Sequence, residues 1–450
     1  MKNKKAAGLL MIGIFLFQAC FLGGCSEKKV NILDRKDEVL TGLNKSNLDK
    51  EKLENKGYRA YLDIVLDEAV QIVSDVEECS VDEAEKLIFE KEYSIYTTFD
   101  KQVYDAIDKA QKLGENVSFG CAVTDLQGNL LAVYSAGDVE QEYKNFATMK
   151  TAPYSSFKPL SVYSPAIESG VATWSTMYED SPVKQIENED GSLRDWPANA
   201  TGTYTEEGVS VYTAIQKSLN TVAVKCLQDY GVEKSITYMK DRFGISLEFE
   251  ESRLQVLGEE EIIGNVALGY LQDGVSPVDM AGYYQVFANG GMYIAPKTIR
   301  KICNADGKTI YERQEEAEQA ISVQTAFIMN QLLQNVVKPG GTGEKASCDN
   351  LLIGGKTGTG DKGNWFVGFT PQYSCAVWHG TEVRTNTTAE IFSRIISQLN
   401  HDESVQFPEV RSVQKKVFCK ESGKLISDKC QKIDMGYYSL DTELPICDIH

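Results

Sequence analysis

The sequence predicts an α+β fold: an antiparallel sheet packed with helices and closed by segments far apart in the chain. Three observations carry this. Apolar runs at Ser118 to Thr124 and Leu130 to Ser135 flank Asp125-Leu126-Gln127-Gly128-Asn129, which predicts a hairpin. The middle of the chain is dominated by helix signals. Ser276-Pro277-Val278-Asp279 opens a helix that Asn289-Gly290-Gly291 closes, and Ser322 opens another that ends before Pro339-Gly340-Gly341. Strand-like runs then return at Leu351 to Thr359, Trp365 to Phe369 and Ala376 to His379, with Pro371-Gln372-Tyr373 as the turn between the last two. Strands at both ends with helices between them require the ends to meet in one sheet.

The chain begins with a basic start at Lys2, Lys4 and Lys5, an uncharged run from Ala6 to Leu22, and then Leu22-Gly23-Gly24-Cys25. Basic, then apolar, then small residues form the grammar of an export signal. Two small residues before a Cys resemble a bacterial lipobox. Residues 1–24 therefore read as a lipoprotein signal peptide, with Cys25 as the lipidation site. The competing reading is an uncleaved membrane anchor, for which the run is short against the roughly 20 residues a span needs. Both readings put the body outside the cytoplasm, held to the membrane, and the lipoprotein reading puts it on the outer face of the cytoplasmic membrane of a bacterium. Residues 25–57 are polar and charged and read as a tether. Residues 58–93 form a helical lead-in: Tyr58 to Val73 has helical periodicity, and Ser80-Val81-Asp82-Glu83 is a capping box. Residues 94–400 read as the main domain, opening on the strand-like Ile95 to Phe99 and a helix capped by Asp100 that stops at Gly114. Residues 401–450 read as a small appendage with a hairpin near Gly423.

The 450 residues are 42% apolar and 25% charged, enough for a large buried core. The formal net charge is −19, and no Lys/Arg block follows the signal, which argues against nucleic acid as a partner. Of eleven cysteines, Cys121, Cys226 and Cys375 lie in apolar runs and read as buried thiols. Cys419, Cys430 and Cys447 could pair in part. With His450 they also offer zinc-ligand types, but the spacing is loose and no metal site is expected.

Three histidines are too few and too peripheral for a Ser-His-Asp set, and there is no Gly-x-Ser-x-Gly or His-Glu-x-x-His. Gly355-Lys356-Thr357 resembles the end of a phosphate loop, but Asn350 stands where that loop needs its first Gly. What remains is a set of Ser, Lys and Thr motifs. Ser155-Ser156-Phe157-Lys158-Pro159 lies at the front of a helical run, so Ser155 and Lys158 share a face. A neutral lysine can act as base, and burial or a second cation lowers its pKa. Ser218-Leu219-Asn220 sits between two helical runs. A hydroxyl and an amide there can relay a proton and bind a substrate amide, although a plain helix break would look the same. Lys356-Thr357-Gly358-Thr359 ends an apolar strand. Its cation and hydroxyls suit a carboxylate, and Gly358 would let a ligand approach the backbone. An exposed edge lysine is the bland alternative.

Ser-x-x-Lys, Ser-x-Asn and Lys-Thr-Gly, in this order, form the signature of penicillin-binding proteins and related β-lactamases. The chain resembles the transpeptidase domain of class A (bifunctional) penicillin-binding proteins over most of its length. The likeness extends to Ile95-Tyr96-Thr97-Thr98-Phe99-Asp100, Ala267 to Pro277, Phe287-Ala288-Asn289-Gly290-Gly291, Gly341-Thr342-Gly343 and Trp365 to Pro371. The resemblance implies the penicillin-binding protein/serine β-lactamase-like fold, with a helical subdomain. It implies Ser155 as nucleophile toward D-Ala-D-Ala stem peptides of peptidoglycan, Lys158 as its base and Ser218 as proton relay. Asn220 would hold the substrate amide, and Lys356, Thr357, Gly358 and Thr359 the terminal carboxylate. β-Lactams would be covalent inhibitors, a separate glycan polymerase a partner, and no cofactor or metal is implied. Only about 70 residues separate Cys25 from the opening strand, too few for a glycosyltransferase domain, so glycan polymerisation is not expected. Tyr154 stands where the family usually has Gly, which would narrow the site. A β-lactamase of related fold, or a catalytically weak scaffold or sensor, shares the same motifs.

Overall fold

A computed structural model describes residues 29–44, 57–114, 117–137, 143–188, 190–247, 259–314, 316–381 and 387–450. The signal peptide and Cys25 lie outside these residues. Among the described residues no helix is long and apolar enough to cross a membrane.

The N-terminal part holds β1 (Lys29–Leu33), β2 (Val39–Asn44), α1 (Arg59–Glu77), α2 (Val81–Glu90) and β3 (Ser94–Thr97). The Ser80 capping box is present, its side chain and that of Glu83 each taking the other's backbone N–H. α3 (Lys101–Gln111) is capped by Asp100, which accepts from Gln102 and Val103. The hairpin follows as β4 (Ser118–Asp125) and β5 (Leu130–Ala136).

One expectation fails here. The stretch read as a tether contains β1 and β2, an antiparallel hairpin whose first strand runs parallel to β3. Val30, Ile32 and Leu43 are fully buried. Their alternation with polar residues is a half-buried strand pattern that high overall polarity masked. These strands form a five-stranded sheet in the order β7-β6-β3-β1-β2, with β6 (Ile299–Cys303) and β7 (Thr309–Glu312) coming from the far side of the helical body.

That body contains α4 (Ser164–Glu168), α5 (Val211–Lys217), α6 (Asn220–Tyr230), α7 (Val232–Phe243), α8 (Glu259–Leu268), α9 (Pro277–Tyr284) and α10 (Val323–Val336). Short strand pairs, Met177–Glu179 with Gly208–Ser210 and Lys184–Glu187 with Leu193–Trp196, interrupt it. The main sheet is completed by β8 (Gly354–Gly360), β9 (Gly363–Phe369) and β10 (Tyr373–Gly380), in the order β8-β9-β10-β4-β5, all antiparallel. β10 pairs with β4 along its whole length, so the two ends of the domain do close one sheet, as expected. Both faces are covered. Phe366, Cys121 and Val377 pack toward α3 and α11 (Thr387–Ile396), while Trp365, Val367 and Ala376 face the main core. Alternate residues along β9 therefore feed two separate clusters, which fixes its register. The appendage is the hairpin of β11 (Val413–Cys419) and β12 (Ile433–Ser439).

Candidate active site

The segment carrying Ser155 is a single 3-10 turn, Tyr154–Phe157, running into a π turn at Pro159–Tyr163 and then α4. In 3-10 geometry side chains three apart eclipse, so Ser155 and Lys158 are stacked on one side of the turn. Ser155 is half-buried, while Ser156 and Lys158 are fully buried. The Ser156 hydroxyl is committed to the Pro153 carbonyl at 2.6 Å.

Lys158 crosses to the junction of α5 and α6. Its Nζ donates to Asn220 Oδ1 at 2.6 Å, Ser218 O at 3.0 Å and Leu219 O at 3.4 Å. This junction exists because α5 ends at Ser218 in the left-handed conformation, φ 60°, and Asn220 begins α6. Lys356 arrives from β8. Its Nζ donates to Ser218 Oγ at 2.8 Å and to Thr357 O at 3.2 Å. The three motifs therefore meet around two buried amines. Burial, then the charge of Lys356, hold Lys158 well below the usual lysine range, and burial pushes Lys356 down to about 7. The edge-lysine alternative for Lys356 does not hold: its side chain is fully buried within the strand.

Thr357 Oγ1 donates to Thr342 Oγ1 at 2.9 Å, which puts the Gly341-Thr342-Gly343 loop beside β8. Thr359 lies two residues along the same strand, paired with Asn364. Gly358 also serves the packing of the nucleophile turn. A Cβ there would lie 2.3 Å from Pro153 O and 3.1 Å from Ser156 Oγ, so the missing side chain seats the nucleophile turn against β8. Gly358→Ala is expected to push that turn off the strand. A displacement near 1 Å costs about 10² in rate, so β-lactam acylation should slow by that order with a melting temperature lowered only modestly. Stopped-flow acylation beside a thermal melt checks this.

Tyr154 has φ 50°, a left-handed backbone that the family's usual Gly adopts without strain. It is held there by its N–H to Gly269 O at 3.0 Å and by Lys362 N donating to its hydroxyl at 3.2 Å. Its ring fills the space over Gly360, where a Cβ would fall 2.1 Å from ring atoms, and meets Tyr270 edge-on at 5.7 Å. Tyr154 thus occupies volume at the end of β8.

Sequence reasoning missed the support behind Asn220. Asp180 accepts from Thr221 Oγ1 at 2.6 Å, Asn199 Nδ2 at 2.7 Å and Thr205 N at 3.0 Å. Burial works against its charge, yet these bonds bring its pKa below the ordinary carboxylate value. Asn199 Oδ1 in turn accepts the Asn220 backbone N–H at 2.8 Å, and Asn220 Nδ2 donates to Ala198 O at 2.7 Å. No local pattern marks Asp180; its partners are distant in sequence. An open cleft of about 620 Å³ begins at Asn220 and is lined further by Trp196, Arg194, Glu260, Tyr270 and Asp361.

A serine on a helical turn, two buried lysines and a hydroxyl-bearing strand edge can carry out acyl transfer without a metal. This fold and this cluster are those of the penicillin-binding protein/serine β-lactamase class. The chain belongs to the penicillin-binding protein transpeptidase family: the model for the penicillin binding protein transpeptidase domain matches residues 120–397. It is 32% identical to penicillin-binding protein 1A of Clostridium botulinum over 332 residues, 70% of this chain and 39% of that protein. It is 30% identical to penicillin-binding protein 4 of Bacillus subtilis over 398 residues, 83% of this chain and 60% of that protein. The chain thus spans less than two thirds of these relatives' lengths. Among solved structures it is similar to the D,D-transpeptidase domain of a peptidoglycan glycosyltransferase from Eggerthella lenta, with TM-score 0.61, 17% identity, and 83% and 98% of the two chains covered. It is also similar to penicillin-binding protein A of M. tuberculosis, solved as an imipenem acyl-enzyme complex, with TM-score 0.63, 15% identity, and 83% and 99% covered. At these identities the likeness bears on the fold.

Proposed function

We propose that the chain is a serine DD-transpeptidase acting outside the cytoplasm on the D-Ala-D-Ala ends of peptidoglycan stem peptides, through an acyl-enzyme on Ser155. The observation that carries this is the pair of buried lysines meeting at Ser218, one beside the nucleophile turn and one on the strand edge. Neutral Lys158 takes the Ser155 proton. As an amine it keeps two N–H donors, for Asn220 Oδ1 and Ser218 O, and gives up the long contact to Leu219, which frees its lone pair. Ser155 Oγ then attacks the penultimate D-Ala carbonyl. The backbone N–H groups of Ser155 and Thr359 receive the oxyanion, a contribution of about 10²–10³ in rate per donor. The C–N bond breaks, Ser218 passes its proton to the leaving D-Ala and receives in its place the one Lys158 took from Ser155, and the acyl group stays on Ser155. Attack by a neighbouring stem's amine forms the cross-link, and attack by water trims the peptide instead. Charged Lys356, with the hydroxyls of Thr357 and Thr359, grips the terminal carboxylate. Asn220, fixed through Asn199 and Asp180, orients Lys158 and the substrate amide. A lipid anchor at Cys25 and a glycan polymerase working alongside complete the reading.

The test is intact-mass and peptide-mass measurement after exposure to benzylpenicillin, with a D-Ala-D-Ala pentapeptide assay in parallel. A long-lived adduct on the peptide carrying Ser155, together with D-Ala release, is the expected result. Rapid drug turnover without an adduct would identify a β-lactamase. Labelling without D-Ala release would identify a sensor or retired scaffold.

A further inference from the structure

The appendage has too little apolar interior to hold itself together. Between residues 401 and 450 its fully buried side chains are few, chiefly Phe418, Cys419 and Tyr438, while Ile426, Ile433, Met435, Leu440, Ile446 and Ile449 are exposed. Modules of this size hold their shape with a disulfide or a metal.

Three separate passes of chain bring the same chemistry to one point. Cys419 closes β11, where its N–H donates to Lys424 O and its carbonyl accepts from Gly423, both at 2.8 Å. Cys430 ends a turn in which its N–H donates to Ser427 O at 3.2 Å. Cys447 lies on the last segment, its N–H donating to Leu425 O at 2.7 Å. The three sulfurs and a ring nitrogen of His450 all lie within 4.8 Å of one another. A tetrahedral zinc ion with Zn–S near 2.3 Å holds its ligand atoms about 3.8 Å apart, so small side-chain shifts close such a cage.

Two further contacts point to a metal rather than to a disulfide. His450 Nε2 lies 2.8 Å from a Glu421 carboxylate oxygen, which leaves Nδ1 for an ion and makes the carboxylate–histidine arrangement typical of metal-bound imidazole. A disulfide gives this histidine nothing to do and strands the third thiol. Cys430 Sγ also receives the Ser427 N–H at 3.3 Å, a donor that suits thiolate charge.

We propose that Cys419, Cys430, Cys447 and His450 bind one structural Zn²⁺ that ties the strand end, turn and tail of the C-terminal hairpin module to one another and so shapes the face it docks on the body of the protein. That face meets the body through contacts separate from the cage. Ser175 Oγ donates to Gly423 O at 2.6 Å, and Trp174 packs edge-on to Tyr437 at 5.3 Å while stacking on Tyr212 of α5 at 5.0 Å. Loose ligand spacing in the sequence hid the cage, because hairpin pairing and not a short loop brings the ligands together. Binding releases the thiol protons as the Zn–S bonds form, with no oxidant or reductant involved.

The test uses the full chain, reduced, equilibrated with Zn²⁺, desalted, and assayed for metal by plasma mass spectrometry and for tertiary stability by thermal melt. About one zinc per chain is expected, falling below about 0.1 in the Cys430→Ser/Cys447→Ser double variant. Chelation should lower the melting temperature of the parent and leave that of the variant unmoved. Replacement by Co²⁺ should give the intense visible bands of a tetrahedral thiolate site. A reduced parent that retains no zinc, or a double variant that retains as much as the parent, overturns the proposal. So does a parent that resists reduction and keeps a disulfide between any two of the three cysteines.

Discussion

Ser155→Ala should take up no β-lactam at any exposure, and Lys158→Arg should take it up about 10²–10⁴ more slowly than the parent chain. The first expectation rests on the absence of a substitute. Ser156 is the adjacent hydroxyl, but it is fully buried and bonded to Pro153 O, and turning it toward the cleft would break that bond. The second separates chemistry from packing. Arg keeps donors for Ser218 O and Asn220 Oδ1, but it is a permanent cation near neutral pH and has no lone pair to accept the Ser155 proton. A merely structural Lys158 would tolerate Arg with a modest rate loss. A base would not, whatever its fold retains. Intact-mass time courses with a circular-dichroism check of folding read both variants. Parental labelling of Lys158→Arg would remove the base from Lys158, and an adduct in Ser155→Ala would remove the acyl-enzyme from Ser155.

The sheet and the three motifs were legible because their signals are local. The β4–β5 turn and the Ser276 and Ser322 caps each lie within one stretch of chain and formed as read, while the Lys356 strand formed over Gly354–Gly360, after the apolar run expected to be its body, with Lys356 inside it. Three things were not legible. β1 and β2 are short and sit in polar surroundings, and they become strands by pairing with each other and, for β1, with β3. Asp180 acts through Thr221, Asn199 and Thr205, contacts set by tertiary packing. The packing need for Gly358 lay in Pro153, roughly two hundred residues away, so the residue type was readable and this second cause was not.

Lys356→Gln should change the pH profile of acylation on both sides. Two conditions must hold together in the free protein: Lys158 neutral and Lys356 charged. The rate constant for acylation at low drug concentration reports the free protein's groups. Its alkaline fall should therefore centre near 7, where burial has placed Lys356, and its acid fall follows Lys158. Removing the Lys356 charge abolishes the alkaline limb. It also lifts one of the two causes that depress Lys158, so the acid limb moves to higher pH while burial keeps it below an ordinary lysine. The same substitution has a thermodynamic signature. With a folded pKa of about 7 and an unfolded value of about 10.4, the unfolded chain binds more protons than the folded one between those limits. Stability thus rises with pH across that window, by at most about 1.4 kcal/mol per pH unit for this group. Urea titrations at pH 7 and pH 9 should show that rise in the parent and a flatter response in Lys356→Gln. An acid limb that stays fixed in the variant would mean the two amines do not sense each other. The depressed pKa of Lys158 would then come from burial alone.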